Sequence, residues 1–128
     1  MIRGTTAQFK FRLPYTKDEL SWAIIKFWQP YNPSKLLPIT KELDDCGTSN
    51  DLYELCVSLT AEETTRFLDK YKAQVQLRAL HTASGTVIGS RPQLITVYPM
   101  SDDIVEEDPI LPGENEDGLI ILDGGTIA

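Results

Sequence analysis

Side chains that could carry out catalysis are few in this sequence, and none has a suitable partner nearby along the chain. A nucleophilic Ser or Cys needs a base held against it, yet the only histidine is His81, beside the turn signal of residues 83–86. No GxSxG motif accompanies it, and no helix follows Gly124 and Gly125 whose amides could bind phosphate. We therefore predict that the protein is not an enzyme, that it binds no cofactor and that His81 is a surface histidine.

Paired carboxylates are the remaining candidates, because they can serve as general acid and base or can bind calcium. Residues 114–118 (ENEDG) resemble a calcium loop but lack its alternating spacing and its terminal glutamate. The adjacent acids at residues 44–45, 102–103 and 106–108 point to opposite faces of an extended chain, so they cannot converge on one substrate. We predict that these acids solvate the surface and that the chain holds no metal.

Two cysteines, Cys46 and Cys56, flank the polar stretch GTSND. One interpretation is a disulfide that pins a hairpin. The other, which we favour, is a pair of unrelated thiols in a reducing compartment. The two thiols and His81 are too few for a closed zinc site.

The acidic residues are concentrated at the end of the chain. Residues 101–128 hold nine of the 19 acids and no Lys or Arg, whereas residues 1–100 hold ten acids and all 12 basic residues. Phosphate repulsion argues against nucleic-acid binding by the tail, and the body has no dense basic patch with interleaved aromatics. We predict a folded domain at 1–100, an acidic linker and arm at 101–128, and no nucleic-acid partner.

Four aliphatic residues stand inside this acidic extension: Leu119, Ile120, Ile121 and Leu122. A tail that stays in water gains nothing from exposing them, so we predict an arm that docks on a sheet edge through main-chain hydrogen bonds. The alternative is a frayed tail. The edge could belong to the same chain or to a neighbour. Since residues 101–118 could extend up to about 3.3 Å each, we favour a neighbour and predict a homo-oligomer.

Apolar residues that alternate with polar ones predict strands through most of the body. The predicted strands are residues 5–13, 21–29, 53–59, 71–79 and 87–98, with an edge strand at 36–43. Residues 21–29 are apolar on both faces, which indicates the middle of a sheet. Thr60 and Glu63 match a capping box, which predicts a short helix through Leu68.

Short strands with turns between them, one brief helix and no βαβ alternation predict an all-β protein. We expect an immunoglobulin-like antiparallel β-sandwich with an extended acidic C-terminal arm. The chain of 128 residues fits one domain. We expect no secretory signal, because the first residues (MIRGTTAQFKFRL) lack an apolar signal region, and no membrane partner, because no apolar run approaches the roughly 18 residues needed to span a bilayer. The predicted core comprises Phe9, Phe11, Leu13, Trp22, Ile24, Val57, Leu59, Val75 and Leu77.

Short blocks along the whole chain carry a resemblance to a known group of proteins. They are residues 1–6 (MIRGTT), 9–14 (FKFRLP), 43–46 (LDDC), 57–64 (VSLTAEET), 72–78 (KAQVQLR) and 122–125 (LDGG). In these blocks the sequence resembles small proteins encoded by phages and prophages of Gram-positive gut bacteria. The arrangement of strands, capped helical turn and glycine hairpin is also similar to the immunoglobulin-like N-terminal domain of phage baseplate upper proteins. The proline-rich segment of residues 30–38 departs from the shorter members of the group.

The resemblance implies a virion component that is made in the bacterial cytoplasm, has other virion proteins as partners and has no catalytic residues. The leading hypothesis is therefore a non-enzymatic structural protein, either decorating the capsid or joining the tail and baseplate. The alternative is a module that recognises a host surface or a carbohydrate through exposed aromatic residues. Its candidate recognition residues are Trp28, Tyr31 and Tyr53.

Overall fold

The computed structural model describes residues 1–99 and, through its backbone, the strand Leu119–Leu122. One short helix, α1 (Ala61–Thr64), and two 3-10 turns, Lys17–Glu19 and Leu43–Asp45, accompany the strands. The strands are β1 (Ala7–Arg12), β2 (Leu20–Trp28), β3 (Ile39–Glu42), β4 (Gly47–Thr48), β5 (Glu54–Leu59), β6 (Ala73–His81), β7 (Val87–Gly89), β8 (Gln93–Ile95) and β9 (Leu119–Leu122). The prediction of an all-β protein with a brief helix is confirmed for the described residues.

The strands form two sheets. The first has the order β4-β5-β1-β9, and the second has the order β3-β2-β6-β7, with β8 also paired to β6. Neighbouring strands are antiparallel, except that β9 runs parallel to β1. Strand β2 lies inside its sheet and β3 lies at the edge, which confirms the positions predicted for residues 21–29 and 36–43.

Buried side chains from both sheets belong to one hydrophobic core. The rings of Phe9 on β1 and Phe27 on β2 pack against each other, with their centroids 4.9 Å apart. The predicted core is confirmed at Phe9, Phe11, Leu13, Val57, Leu59, Val75 and Leu77, all of which are buried. The two sheets therefore stabilise each other mainly by burying the inward side of β1, β2, β5 and β6.

The core prediction is wrong for Trp22 and Ile24. Ile24 is 43% exposed and Trp22 is half-buried, whereas Ala23 and Phe27 face the core. The cause is a β-bulge: the register of β2 against β6 shifts between Leu20 and Trp22, and one extra residue reverses the faces that follow. Since β2 is apolar on both faces, the sequence pattern alone does not fix which set points inward.

The capping box predicted at Thr60 is confirmed. Its hydroxyl accepts from the Glu63 amide at 3.1 Å, and the Glu63 carboxylate accepts from the Thr60 amide at 2.9 Å. The helix ends at Thr64, one turn earlier than predicted. The Gln29 side chain binds the backbone of Leu68 instead, with its Oε1 2.7 Å from the amide and its Nε2 2.6 Å from the carbonyl oxygen. These tertiary bonds take the place of further helical ones.

The last predicted strand of the body, residues 87–98, is divided into β7 and β8, which both pair with β6. Ser90 lies at the division, where its amide donates to the Leu77 carbonyl and its hydroxyl accepts from the Leu77 amide, both at 2.9 Å. Pro92, which has no amide hydrogen to donate, falls in the same interruption. The hairpin before β7 uses Gly85 at a φ of 68°, as its turn requires.

Among residues 1–99 and 119–122, no helix has the length and apolar character needed to cross a membrane. The acidic linker of residues 101–118, its candidate calcium loop at 114–118 and the closing residues 123–128 lie outside the described residues. The predictions made for them stay predictions.

Candidate binding surfaces

The edge of β1 is the surface that receives the C-terminal strand. Strand β9 pairs with it in parallel, with Gln8 opposite Leu119 and Phe11 opposite Leu122. The other edge of β1 pairs with β5 in antiparallel register from Ala7 to Arg12. In this structure residues 119–122 thus pair with an edge of the same chain, and the predicted docking of an arm on a neighbour stays a prediction.

The outward side of the first sheet is polar and its charges are paired. Because Phe9 and Phe11 point into the core, Lys10 and Arg12 point away from it. Lys10 forms an ion pair with Glu54 at 3.5 Å, and Arg12 forms one with the same residue at 3.7 Å. Arg12 also lies 3.6 Å from Asp51. This side offers few free charges to a ligand.

The outward side of the second sheet differs from that of the first sheet in its side chains. The bulge in β2 directs Trp22, Ile24, Lys26 and Trp28 to this side. Strand β6 adds Gln76 opposite Lys26 and Arg78 opposite Ile24. We call these six residues, Trp22, Ile24, Lys26, Trp28, Gln76 and Arg78, the indole face. It combines two indole rings with two basic groups and an amide.

Two shallow depressions run along the indole face. One, of about 280 Å³, is lined by Trp22, Ile24, Lys26, Gln76 and Arg78. The other, of about 290 Å³, is lined by Lys26, Trp28, Pro38 and Gln76. Since Lys26 and Gln76 belong to both, the two depressions adjoin each other and form one groove along β2.

The three aromatic residues predicted for recognition are not brought together. Trp28 belongs to the indole face, Tyr53 is 49% exposed beside the end of β1, and Tyr31 is 85% exposed beyond the end of β2. Tyr31 has a φ of 65°, unusual for a residue with a side chain, and its ring lies 5.7 Å from that of Tyr71. The alternation of the sequence did not reveal Trp22, which is the aromatic residue that does share a surface with Trp28.

His81 takes part in a cluster that links two connections of the fold. Its ring stacks on Tyr15, with centroids 3.8 Å apart, and is 2.7 Å from the Ser84 hydroxyl and 3.3 Å from the Glu19 carboxylate. The hydroxyl and amide of Thr16 bind the same carboxylate and, with His81, hold the pKa of Glu19 below its ordinary value despite desolvation. Because Glu19 is 62 residues from His81 in sequence, local spacing gave no sign of this cluster.

The hydroxyl of Ser84 links His81 to the hairpin turn that follows β6. The Ser84 hydroxyl donates to the Thr86 hydroxyl at 2.9 Å, and the same Ser84 oxygen lies 2.7 Å from Nδ1 of His81. The Thr86 amide also donates to the Ser84 hydroxyl oxygen at 3.2 Å, so this oxygen takes part in the hydrogen bonds of the turn. The cluster fastens the hairpin after β6 to the connection between β1 and β2.

Cys46 and Cys56 are free thiols in the structure, which agrees with the favoured of the two interpretations. Cys56 alternates with the inward-facing Leu55 and Val57, so it lies on the outward side of β5, whereas Cys46 is buried. Burial raises the pKa of Cys46 to about 11, and it also raises the pKa of Cys56. Neither thiol has the lowered pKa of a reactive cysteine.

No group of three or more His, Cys, Asp or Glu side chains that could hold a metal ion occurs in the described part of the chain. Comparison of the sequence with protein-family models and with curated proteins, and of the fold with solved structures, finds no match.

Proposed function

We propose that this chain is a non-enzymatic structural protein of a phage virion, decorating the capsid or joining the tail and baseplate, that assembles through sheet-edge and C-terminal arm contacts. Its partners are then other virion proteins and further copies of itself, and its place is the virion. The resemblance of short sequence blocks to phage and prophage proteins supports the class of protein. The observation that carries the mechanism is the pairing of β9 with the edge of β1.

The strand order supports an immunoglobulin-like β-sandwich as the scaffold of this function. Immunoglobulin-type domains place strands A, B, E and D in one sheet and C, F and G in the other. In this chain β1, β5 and β4 follow the order B-E-D, and β2, β6 and β7 follow the order C-F-G. β9 then occupies the place of strand A, although it comes from the other end of the chain and runs parallel to its neighbour.

The place of strand A is thus filled by a segment that is joined to the body only through a long linker. Residues 100–118 could extend up to roughly 60 Å, more than the diameter of a domain of this size. The same segment from a neighbouring copy could therefore make the same main-chain hydrogen bonds to β1. Exchange of an identical element between copies is a low-cost route to oligomers, and a mixed assembly with other virion proteins can use the same edge.

Deletion of residues 101–128 tests this proposal. The remaining body keeps the core that joins the two sheets, so its melting temperature should change little, while oligomers seen by light scattering and incorporation into particles should be lost. A full-length variant in which Ile120 and Ile121 are changed to Ser is the matched control for the loss of apolar side chains alone. Unchanged assembly of the truncated chain would refute the proposal that the protein assembles through its C-terminal arm. A collapsed melting temperature would show that β9 serves only its own domain.

A module for recognition of a host surface or carbohydrate is the second candidate function. The observation that favours it is the position of Trp28 on the indole face, beside Lys26, which has no ion pair with any of residues 1–99. Labelled copies located by microscopy of particles separate the two candidates, because recognition requires a position at a fibre tip or another outer surface. A position buried within the capsid or tail would count against recognition.

A further inference from the structure

We propose that the indole face is a binding site for a linear anionic glycan, a sugar polymer that carries phosphate or carboxylate groups. This inference deepens the second candidate function and rests on it. It is independent of the arm, because the indole face belongs to the second sheet and β9 is attached to the first.

The β-bulge in β2 is the feature that places the indole rings on the outward side. Leu20 and Ala23 both face the core, although their positions are three residues apart. This is possible because the bulge between Leu20 and Trp22 takes up one extra residue of β2. Without the bulge, strict alternation from Leu20 would direct Trp22 and Ile24 inward. Bulges commonly re-aim a side chain where a protein binds a ligand. The bulge here leaves two large aromatic side chains half-buried on the outward face of the sheet, where they line the two depressions.

The geometry of the groove calls for an elongated ligand. Trp22 and Trp28 are six residues apart on one strand, which places them about 20 Å from each other along the sheet. Lys26 and Gln76 lie between them and line both depressions. Sugar rings present flat C–H faces that pack on aromatic rings, and a chain of several rings covers such a distance.

The polar groups of the face indicate that the ligand is an anion. Among residues 1–99, Lys26 and Arg78 have no ion pair, in contrast to Lys10 and Arg12 of the first sheet. Glu42 of β3 lies opposite Ile24 on the same face, and no ion pair within the described residues joins it to either cation. A phosphate or carboxylate group can therefore bind both cations without displacing an existing partner.

Gln76 adds a hydrogen-bonding group for sugar hydroxyls. Its amide nitrogen donates to the Ser90 carbonyl at 3.0 Å, which fixes the side chain and leaves its oxygen to accept from a ligand. The backbones of β2 and β6 are flanked on both sides by other strands. An extended peptide would find no open edge there to pair with, so a ligand recognised by side chains, as sugars are, fits this face better than a strand.

The test is binding of the full-length chain to oligogalacturonate and to a ribitol-phosphate polymer, measured by calorimetry and by indole fluorescence. Neutral malto-oligosaccharide and polyglutamate are the comparison ligands. We expect measurable binding of at least one anionic glycan, weakening at high salt, and a change of indole fluorescence. Trp22→Ala and the double variant Lys26→Gln, Arg78→Gln should each weaken binding by roughly tenfold or more.

The matched controls are Tyr53→Ala, which removes an exposed aromatic ring elsewhere, and Lys70→Gln, which removes an exposed charge away from the face. Both should bind as the wild type does. Trp22→Phe keeps an aromatic ring and should retain most of the binding, which separates loss of the site from loss of the fold. Equal affinity for polyglutamate, or no binding of either anionic glycan, would overturn the proposal. The chain lacking residues 101–128 should still bind, so failure of the arm is distinguishable from failure of this site.

Discussion

Leu20 and Ala23 both face the core, although they stand three residues apart on one strand. Strict alternation would place residues of odd spacing on opposite faces. The bulge between them therefore decides which apolar side chains of β2 point into the core and which point outward. The recognition role proposed for the second sheet depends on this one irregularity.

The first prediction compares the two sides of β2. Phe27→Ala removes a fully buried ring that packs on Phe9, and it should lower the free energy of unfolding by about 3–5 kcal/mol. Trp22→Ala removes a larger side chain from the outward face and should cost less than half as much. Chemical denaturation of the two variants provides the measurement. A larger loss for Trp22→Ala would place the indole in the core and invalidate the assigned bulge.

The second prediction concerns Glu63, which closes the capping box and forms an ion pair with Lys41 at 2.9 Å. Burial raises the pKa of Glu63, but the bonds from the Thr60 amide and from Lys41 outweigh burial and leave the pKa below its ordinary value. The ionised carboxylate thus stabilises the folded state above about pH 4.5, and this contribution is lost as the pH falls through the lowered pKa.

Glu63→Gln should accordingly lower the free energy of unfolding by about 1 kcal/mol at neutral pH. The difference from wild type should shrink as the pH is lowered toward 3, because the wild-type side chain then also becomes neutral. Urea denaturation at a series of pH values measures it. Glu62→Gln is a suitable control, since Glu62 is an exposed neighbour without the Lys41 contact. A constant difference at all pH values would contradict the assignment.

The third prediction concerns the two thiols. Burial raises the pKa of both, most strongly for Cys46, so alkylation by iodoacetamide at pH 8 should be slow in the folded protein. Cys56, on the outward side of β5, should react first, and Cys46 should react fully only in denaturant. Mass spectrometry of timed samples distinguishes the sites. Recovery of a disulfide between Cys46 and Cys56 from the native protein would contradict the free thiols.

The features that sequence predicted well are those fixed by local pattern. Phe9 and Phe11 alternate with charged residues, so only one face of β1 could be buried, and Thr60 with Glu63 forms a cap whose bonds are local. What the sequence did not predict depends on long-range contacts. The register of β2 against β6 determines which of its side chains point into the core, and Leu68, which was predicted to be helical, is bound by the distant Gln29 instead.

The candidate surfaces likewise combine features that the local sequence predicts with features that depend on long-range contacts. The apolar run Leu119–Leu122 in an acidic segment predicts a strand that needs cover, but the edge with which β9 pairs is a property of the fold. The indole face joins residues of β2 and β6, and the Glu19–His81 cluster joins residues 62 apart. Spacing along the chain gives no information on such pairs.

The most direct test of the proposed assembly uses the register of β9 on β1, in which Gln8 lies opposite Leu119. One variant carries Gln8→Cys and a second carries Leu119→Cys, both with Cys56→Ser, and the two proteins are mixed under native conditions and oxidised with diamide. Exchange of the arm between copies predicts a disulfide-linked dimer of the two variants on a non-reducing gel. Lys72→Cys in place of Gln8→Cys should give none. If the mixture stays monomeric while a chain carrying both Gln8→Cys and Leu119→Cys closes its own disulfide, the arm serves only its own domain, and assembly through it is contradicted.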